Sequence, residues 1–442
     1  MITGRMSKLT PSARKLVKDR VASRIQAKDA TLYSFSEEAQ ACAENFMGWA
    51  DAASNCTFDI DEIMAFADEA VADGIKNVVL VGQGGSTQAP MTITKYNKLD
   101  SNRVEFRTVD SDSPVRVREV LESLDITKTL VIMASKSGGT IEPRLMLQTL
   151  RTYMARHMPK SEVPKHLVAI TDPGSALEMQ AREEGWRGVF LGEPTIGGRF
   201  SAISVFGFLP AALVGIDLHS VLKHACEAEA VCGEDVIDNP AIGLAAFLYD
   251  NYKKGRDKFC FLTPKRGRVL GLWIEQLVAE SLGKDGKGIL PNIEVDSLLL
   301  STKRKDRTVI QYATKNDNWD ERRNFDMSLA YIDRSIPSLE YKIDCVEELA
   351  EHFIMWEYAI AMCGYLMKVC PFDQPDVASA KAAVLDILDK GIPQPDYCCD
   401  FYEGLMGEAE VRVGQAVPCD KKGIKEVLKA LLSTINEGDY FA

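Results

Sequence analysis

The sequence predicts an α/β protein: two tandem parallel-sheet units sandwiched by helices, with a helical N-terminal segment and a helical C-terminal tail. Three observations predict it. From about residue 74, short apolar or β-branched runs alternate with stretches of helical spacing. The runs are continuously apolar, as expected of strands covered on both faces. After about residue 257 the same alternation begins again.

Residues 1–73 carry helical periodicity and an acidic surface, as in SFSEEAQACAENFMGWADAA and DIDEIMAFADEAVADG. The very start, MITGRMSKLTPSARKLVKDR, is basic and amphipathic without a secretory apolar core; a transit peptide is the alternative, and Asp19 with the early helical pattern argues for a first helix. The first unit, 74–220, offers strands at NVVLVG (77–82), RVEFRTVD (103–110), KTLVIMA (128–134), HLVAIT (166–171) and GVFLG (188–192), followed by the apolar helix of FGFLPAALVGID. The second unit, 221–442 with its tail, offers KFCFLTP (258–264), a long helix at 267–283, RTVIQYA (307–313) and MSLAYID (327–333). From about Glu347 the pattern is mostly helical, broken by PFDQPDV.

Bulk properties narrow the function. The 442 residues are 46% hydrophobic and 26% charged, and the net charge of −12 argues against nucleic acid or an anionic membrane as partner. No apolar run approaches spanning length. The eleven cysteines are scattered without a CxxC pair or a Cys/His ligand spacing, so neither a disulfide framework nor a structural metal is expected, and a reducing cytoplasm is. An acidic protein that binds an anion must do so with a few placed donors.

Two loops offer such donors. The first strand runs into VGQGGSTQAP (81–90), a glycine-rich strand-to-helix turn. A dinucleotide fingerprint starting at Gly82 fails, because Thr87 stands where the third glycine belongs, and no GK[ST] follows for a Walker loop. The third strand delivers VIMASKSGGT (131–140). Ser135, Ser137 and Thr140 supply hydroxyls, Gly138-Gly139 let amides approach, Lys136 adds a charge, and the helix from Ile141 adds its positive end. That is a phosphomonoester pocket without a metal; taken alone it is equally an ST-rich helix cap.

Three further groups suggest chemistry. In LWIEQLVAESLGKDGKGILP (272–291) the stripe Trp273, Leu277, Glu280 puts Glu280 on the inward face, with Glu275 opposite. Burial and the negative helix end disfavour its charged form; a structural pairing to a buried base fits the spacing equally well. Arg199 follows two glycines in GGRFSAISVFGFLPAALVGID (197–217), where it can stabilise an oxyanion or clamp an interface. In KVCPFDQPDVASAKAA (368–383), Lys381 lies seven residues after Gln374 in a helix begun by QPDV, where a solvated surface lysine is the plain alternative.

The strand ending in SKS-x-x-T, preceded by GQGGS, resembles the sugar isomerase (SIS) domain. IGGRFSAISVFGFLP, QLVAESLGKDGKG and PFDQPDVASAK, in this order, resemble three signatures of the glucose-6-phosphate isomerase family, most closely its bacterial branch found alone or fused to transaldolase. The resemblance covers roughly residues 75–390. It implies reversible isomerisation of glucose 6-phosphate and fructose 6-phosphate through a cis-enediol, with phosphate bound by Ser135, Lys136, Ser137 and Thr140 and the sugar lined by Gly85 and Ser86. It further implies Glu280 as the base between C2 and C1, Arg199 at the enediolate, Lys381 at ring opening and Gln374 orienting the substrate. No metal or cofactor is required, and a cytoplasmic homodimer is implied. A phosphosugar-binding regulatory protein, or a dual phosphoglucose and phosphomannose isomerase, are the alternatives. The family's ring-opening histidine has no counterpart in 281–340; His352 is the nearest later candidate, with a helix-surface role as its plain alternative. His219 and His224 read as surface.

Overall fold

The computed structural model describes residues 10–96, 103–293, 300–302, 305–314, 319–373, 375–391, 397–403, 409–414 and 423–434. Contacts divide the chain into two units, 1–373 and 374–442.

The N-terminal segment folds as α1 (Pro11–Lys18), α2 (Val21–Gln26), α3 (Glu37–Phe46) and α4 (Ile60–Ala72). Their starts are written locally. Thr10, Ser36 and Asp59 each accept amide hydrogens of the first turn, and Pro11 needs no amide partner there.

The first sheet takes β1 (Asn77–Val81), β2 (Glu105–Val109), β3 (Thr129–Ala134), β4 (Leu167–Thr171) and β5 (Gly188–Leu191), in spatial order β2-β1-β3-β4-β5 and all parallel. Helices α5 (Gly85–Tyr96), α6 (Pro114–Glu122), α7 (Ile141–Met154) and α8 (Ala176–Glu183) connect them. Every residue of β1, β3 and β4 is buried, as the continuous apolar runs require. Val79 and Val81 join a core of their own with residues of α6, α7 and α8. Val78 and Leu80 join the main core, which reaches the N-terminal helices and the second sheet.

Helices α9 (Val205–Val214), α10 (Leu218–Cys232) and α11 (Pro240–Tyr252) lead to the second sheet. It contains β6 (Lys258–Leu262), β7 (Leu290–Ile293), β8 (Arg307–Thr314) and β9 (Ser338–Ile343), parallel and ordered β7-β6-β8-β9. The chain crosses between them through α12 (Arg268–Leu282) and α13 (Trp319–Ala330). After β9 comes α14 (Leu349–Met367), buried on almost every side. A helix apolar all round belongs inside a protein, and the main core closes around this one.

Two strand assignments change. MSLAYID is the end of α13 and the turn after it: Phe325, Leu329 and Ile332, at helical spacing, pack on Leu262, Val309 and Ile336. The strand is SLEYKI, an edge strand whose Leu339, Tyr341 and Ile343 point inward while the alternate residues are exposed. β7, within GILPNI, was not expected either.

In the second unit the tail carries α15 (Pro375–Lys390) and α16 (Ile424–Leu432). Between them lies an antiparallel pair, β10 (Tyr397–Glu403) and β11 (Ala409–Gly414), that the helical expectation did not include.

Candidate active site

The first sheet reverses its order between β1 and β3, with β2 on one side and β4 and β5 on the other. Loops leaving two such strands at their carboxyl ends diverge and leave a crevice, the usual ligand position in an open parallel sheet. Here those loops are the two that sequence singled out, 82–84 and 135–140. They are neighbours: a Cβ added to Gly82 would lie 2.7 Å from the Ala134 carbonyl oxygen. α5 and α7 begin beside them and bring two helix N-termini to the same end of the sheet.

In the second loop Ser135 is buried and Ser137 exposed, its Oγ accepting the Gly139 amide hydrogen at 3.2 Å. Gly138 has φ +64°, and a Cβ there would come 2.9 Å from the Leu177 backbone nitrogen, so the turn needs glycine twice over. Thr140 stands at the N-cap of α7 with extended backbone, yet its hydroxyl makes no capping bond. The ST-cap alternative would spend that hydroxyl.

Lys136 is placed differently from expectation. Its Nζ lies 2.7 Å from Asp172 Oδ1 and donates to the Glu193 carbonyl at 3.0 Å. The Lys136 carbonyl accepts from the Asp172 amide at 3.0 Å. This lysine fastens the β3 loop to the β4 loop.

Gly85 opens α5 and lies directly against the turn that carries Arg199. A Cβ at position 85 would meet the Gly198 carbonyl carbon at 2.1 Å and the Arg199 nitrogen at 2.5 Å. Ser86, next in the helix, is almost fully buried. α12 runs antiparallel to α5: Thr92 Oγ1 donates to the Val269 carbonyl at 3.0 Å near its start, so its far end, with Glu280, meets the head of α5.

Arg199 is only 2% exposed. Its Nε donates to Ser281 Oγ at 2.7 Å, and its Nη2 donates to the carbonyls of Pro371 at 2.5 Å and Asp373 at 3.0 Å. Nη1 faces Glu280 Oε1 at 3.4 Å. Burial presses the Arg199 pKa down, opposed by Glu280 and Asp373. Glu280 is half-buried; its Oε2 also accepts from Gln276 Nε2 at 3.1 Å. Trp273 and Leu277 are buried and Glu275 exposed, as the helical stripe requires. A partly exposed carboxylate beside a fixed guanidinium can take a proton from carbon and hold the oxyanion that results.

Sequence reasoning missed the support of this pair. Lys284, one turn past Glu280, donates to the Cys370 carbonyl at 2.7 Å and the Asp373 carbonyl at 2.9 Å, and pairs with the Asp373 carboxylate. Burial lowers its pKa, and Asp373 opposes the shift. Arg199 and Lys284 thus grip 370–373 from one side. The signal was present in ESLGKDGKG, but its acceptors lie more than eighty residues away.

His352 is neither a surface group nor brought to this pair. It is 2% exposed; Nδ1 accepts from Tyr312 Oη at 3.0 Å, and Tyr312 in turn accepts from Trp356 Nε1 at 2.9 Å. The other ring nitrogen is taken by the Lys342 carbonyl, and burial drives its pKa down to about 4. Both nitrogens are spent inside the second sheet's core. Gln374 lies outside the described residues, and Lys381 falls within α15 with its side chain outside the description.

Among the described residues, the groups able to share a metal ion are His224, Glu227 and Glu351, on α10 and α14. His224 is half-buried and already bonded to Glu351 Oε1 at 2.7 Å, while His219 lies on the surface.

Residues 63–286 match the family model of phosphoglucose isomerase. The glucose-6-phosphate isomerase of Mycoplasmopsis pulmonis is 27% identical over 388 residues, covering 78% of this chain and 90% of that protein. That of Alkaliphilus metalliredigens is 28% identical over 415 residues, covering 81% and 90%. Among solved structures, a glucose-6-phosphate isomerase from Chlamydia trachomatis superimposes with a TM-score of 0.71 at 17% identity, over 88% of each chain, a likeness of fold.

Proposed function

The chain belongs to the phosphoglucose isomerase family, and on that premise we propose how its residues interconvert glucose 6-phosphate and fructose 6-phosphate. The observation that carries the reading is the Glu280–Arg199 pair at the mouth of a crevice floored by hydroxyls and helix N-termini. The substrate phosphate sits on the 135–140 loop, taking Ser135, Ser137, Thr140 and nearby amides as donors. Lys136 contributes its charge from beside the loop, and leaves Asp172 for the phosphate when substrate arrives. Gly85 and Ser86 line the sugar, as the family resemblance implies, and a side chain at position 85 would press on the Gly198–Arg199 peptide.

With the phosphate held, the opened sugar lays C1 and C2 between Glu280 and Arg199. Glu280 takes the proton from C2; the electron pair moves through C1 onto O1, where the Arg199 Nη1 edge stabilises the enediolate. Transfer of the O2 hydroxyl proton to O1 and return of the Glu280 proton to C1 then give the ketose, with a carbonyl at C2 and a hydroxyl at C1. Glu280 ends as it began. Ring opening by Lys381 and orientation of the sugar by Gln374 rest on the family resemblance alone.

The division into 1–73, 74–220 and 221–442 belongs to the same reading: two SIS-type units with a helical preface. So does a cytoplasmic homodimer that works without metal or cofactor, which the family resemblance supports. No described helix is long and apolar enough to cross a membrane.

The test is a coupled assay of the purified chain with fructose 6-phosphate, repeated with a chelator and with mannose 6-phosphate. Turnover that survives chelation is expected. No turnover of fructose 6-phosphate overturns the reading, and equal turnover of mannose 6-phosphate replaces it with the dual isomerase.

A further inference from the structure

Past the end of α12 the chain turns back on itself. The Lys284 amide donates to the Lys287 carbonyl at 3.0 Å, and the Lys287 amide donates back at 2.9 Å. Asp285 and Gly286, both at positive φ, make the turn. The two lysines then reach one neighbouring segment. Lys287 Nζ donates to the Met367 carbonyl at 3.0 Å, where α14 ends. Lys284 Nζ has three protons to give, and it meets three acceptors further on: the Cys370 carbonyl, the Asp373 carbonyl and the Asp373 carboxylate.

Asp373 is shared with Arg199. Its carbonyl takes Arg199 Nη2 at 3.0 Å and Lys284 Nζ at 2.9 Å. The carboxylate sits on that same ammonium, so it lies within a side-chain rotation of the guanidinium. Four charges balance here, Arg199 and Lys284 against Glu280 and Asp373, and the two cations are the buried members, with side chains 1% and 7% exposed. Of the Arg199 contacts, the one to Glu280 is the longest, 3.4 Å against 2.5–3.0 Å for Ser281, Pro371 and Asp373. It is the contact that yields first to a competing carboxylate. Taking one cation from a buried, balanced group leaves the remaining charges to re-pair, and a guanidinium pairs with a carboxylate more strongly than with a neutral carbonyl.

We propose that Lys284 is a positioning residue for the isomerisation: by occupying the Asp373 carboxylate it keeps Arg199 turned to Glu280 and to the enediolate. Lys284 touches no substrate atom in this arrangement. Its charge, more than its hold on the backbone, is what the reaction needs, because Lys287 docks the same segment independently.

The experiment measures kcat and KM for fructose 6-phosphate, with a melting curve, in the native chain, Lys284→Met, Asp373→Asn, the double variant and Lys287→Met. Lys284→Met is expected to lose at least about tenfold in kcat, part of what removal of an oxyanion donor costs, with KM within about threefold of native. In the Asp373→Asn background the same substitution is expected to cost less than about threefold, because no carboxylate is set free. Lys287→Met loosens the segment without freeing a charge, so it should melt lower and keep its kcat. Should Lys284→Met fail to fold, a double variant that folds and turns over supports the proposal equally. Native kcat in Lys284→Met, an equal loss in both backgrounds, a double variant that does not fold, or a Lys287→Met chain as slow as Lys284→Met each overturns it. The kcat effects rest on the isomerase reading above; the placement of Arg199 does not. If the native chain leaves fructose 6-phosphate unchanged, crystal structures of the variants decide: Arg199 is expected to turn from Glu280 toward Asp373 in Lys284→Met and to return in the double variant, and an unmoved Arg199 overturns the proposal.

Discussion

Glu280 keeps one oxygen toward Arg199 and the other toward Gln276, so its position survives exchange for an amide of the same shape. Glu280→Gln is therefore expected to bind the phosphosugar while losing proton chemistry. kcat should fall by about 10²–10⁴, the usual worth of a positioned acid–base group, and C2 deuterium wash-out in an NMR tube should stop with it. Near-native wash-out would take the base away from Glu280. Lys136, already tied to Asp172 and the Glu193 carbonyl, has no such part in the chemistry. Lys136→Met is expected to raise KM more than it lowers kcat; a loss concentrated in kcat would place the ammonium at the reacting carbons.

Three elements are bolted together at one point: the head of α5, the turn before α9, and the end of α12. Between the first two, the bolt is the absence of a side chain at position 85. Gly85→Ala would drive a methyl into the Gly198–Arg199 peptide, where backbone rather than a flexible side chain must yield. Overpacking of that kind costs about 1–3 kcal/mol, so a lowered melting temperature is expected. The larger effect should be on kcat, because the displaced peptide is the one that carries Arg199. A melting curve and a rate measured on the same preparation separate the two, and a variant with native kcat would show that this contact positions nothing.

Across the molecule, stability depends on two titratable groups of α14 buried far from their usual solvent. His352 is neutral in the fold, with its pKa lowered to about 4 by burial, whereas the unfolded chain binds a proton near pH 6.5. Its contribution is complete above pH 6.5 and is lost as pH falls toward 4, about 3 kcal/mol over that window. His352→Gln should flatten the acid limb of a melting-temperature profile. Glu357 behaves in the opposite sense. It is buried with Oε1 unpartnered among the described residues, and burial raises its pKa well above the usual 4.5. Stability is unaffected by it below pH 4.5 and declines as pH rises, because the unfolded chain ionises first. Glu357→Gln should accordingly melt higher than the native chain at pH 7 and equally near pH 4; the same difference at both would refute the burial argument.

By itself the sequence determined the alternation of strands and helices and the two loops at the crevice. Each of these is settled by neighbours within a few residues, through side-chain periodicity, turn chemistry or an amide within reach of a hydroxyl. It misread MSLAYID against SLEYKI for a related reason: an edge strand with one solvated face looks less like its apolar neighbours than the end of an amphipathic helix does. Only the tertiary structure decided that Arg199 spends Nη2 on the carbonyls of 371 and 373, that Lys136 is paired across to Asp172, and that His352 is sealed behind Tyr312. Those partners lie between 36 and 174 residues away in the chain. Packing, not local preference, chooses which of many possible partners a long charged or aromatic side chain finally meets.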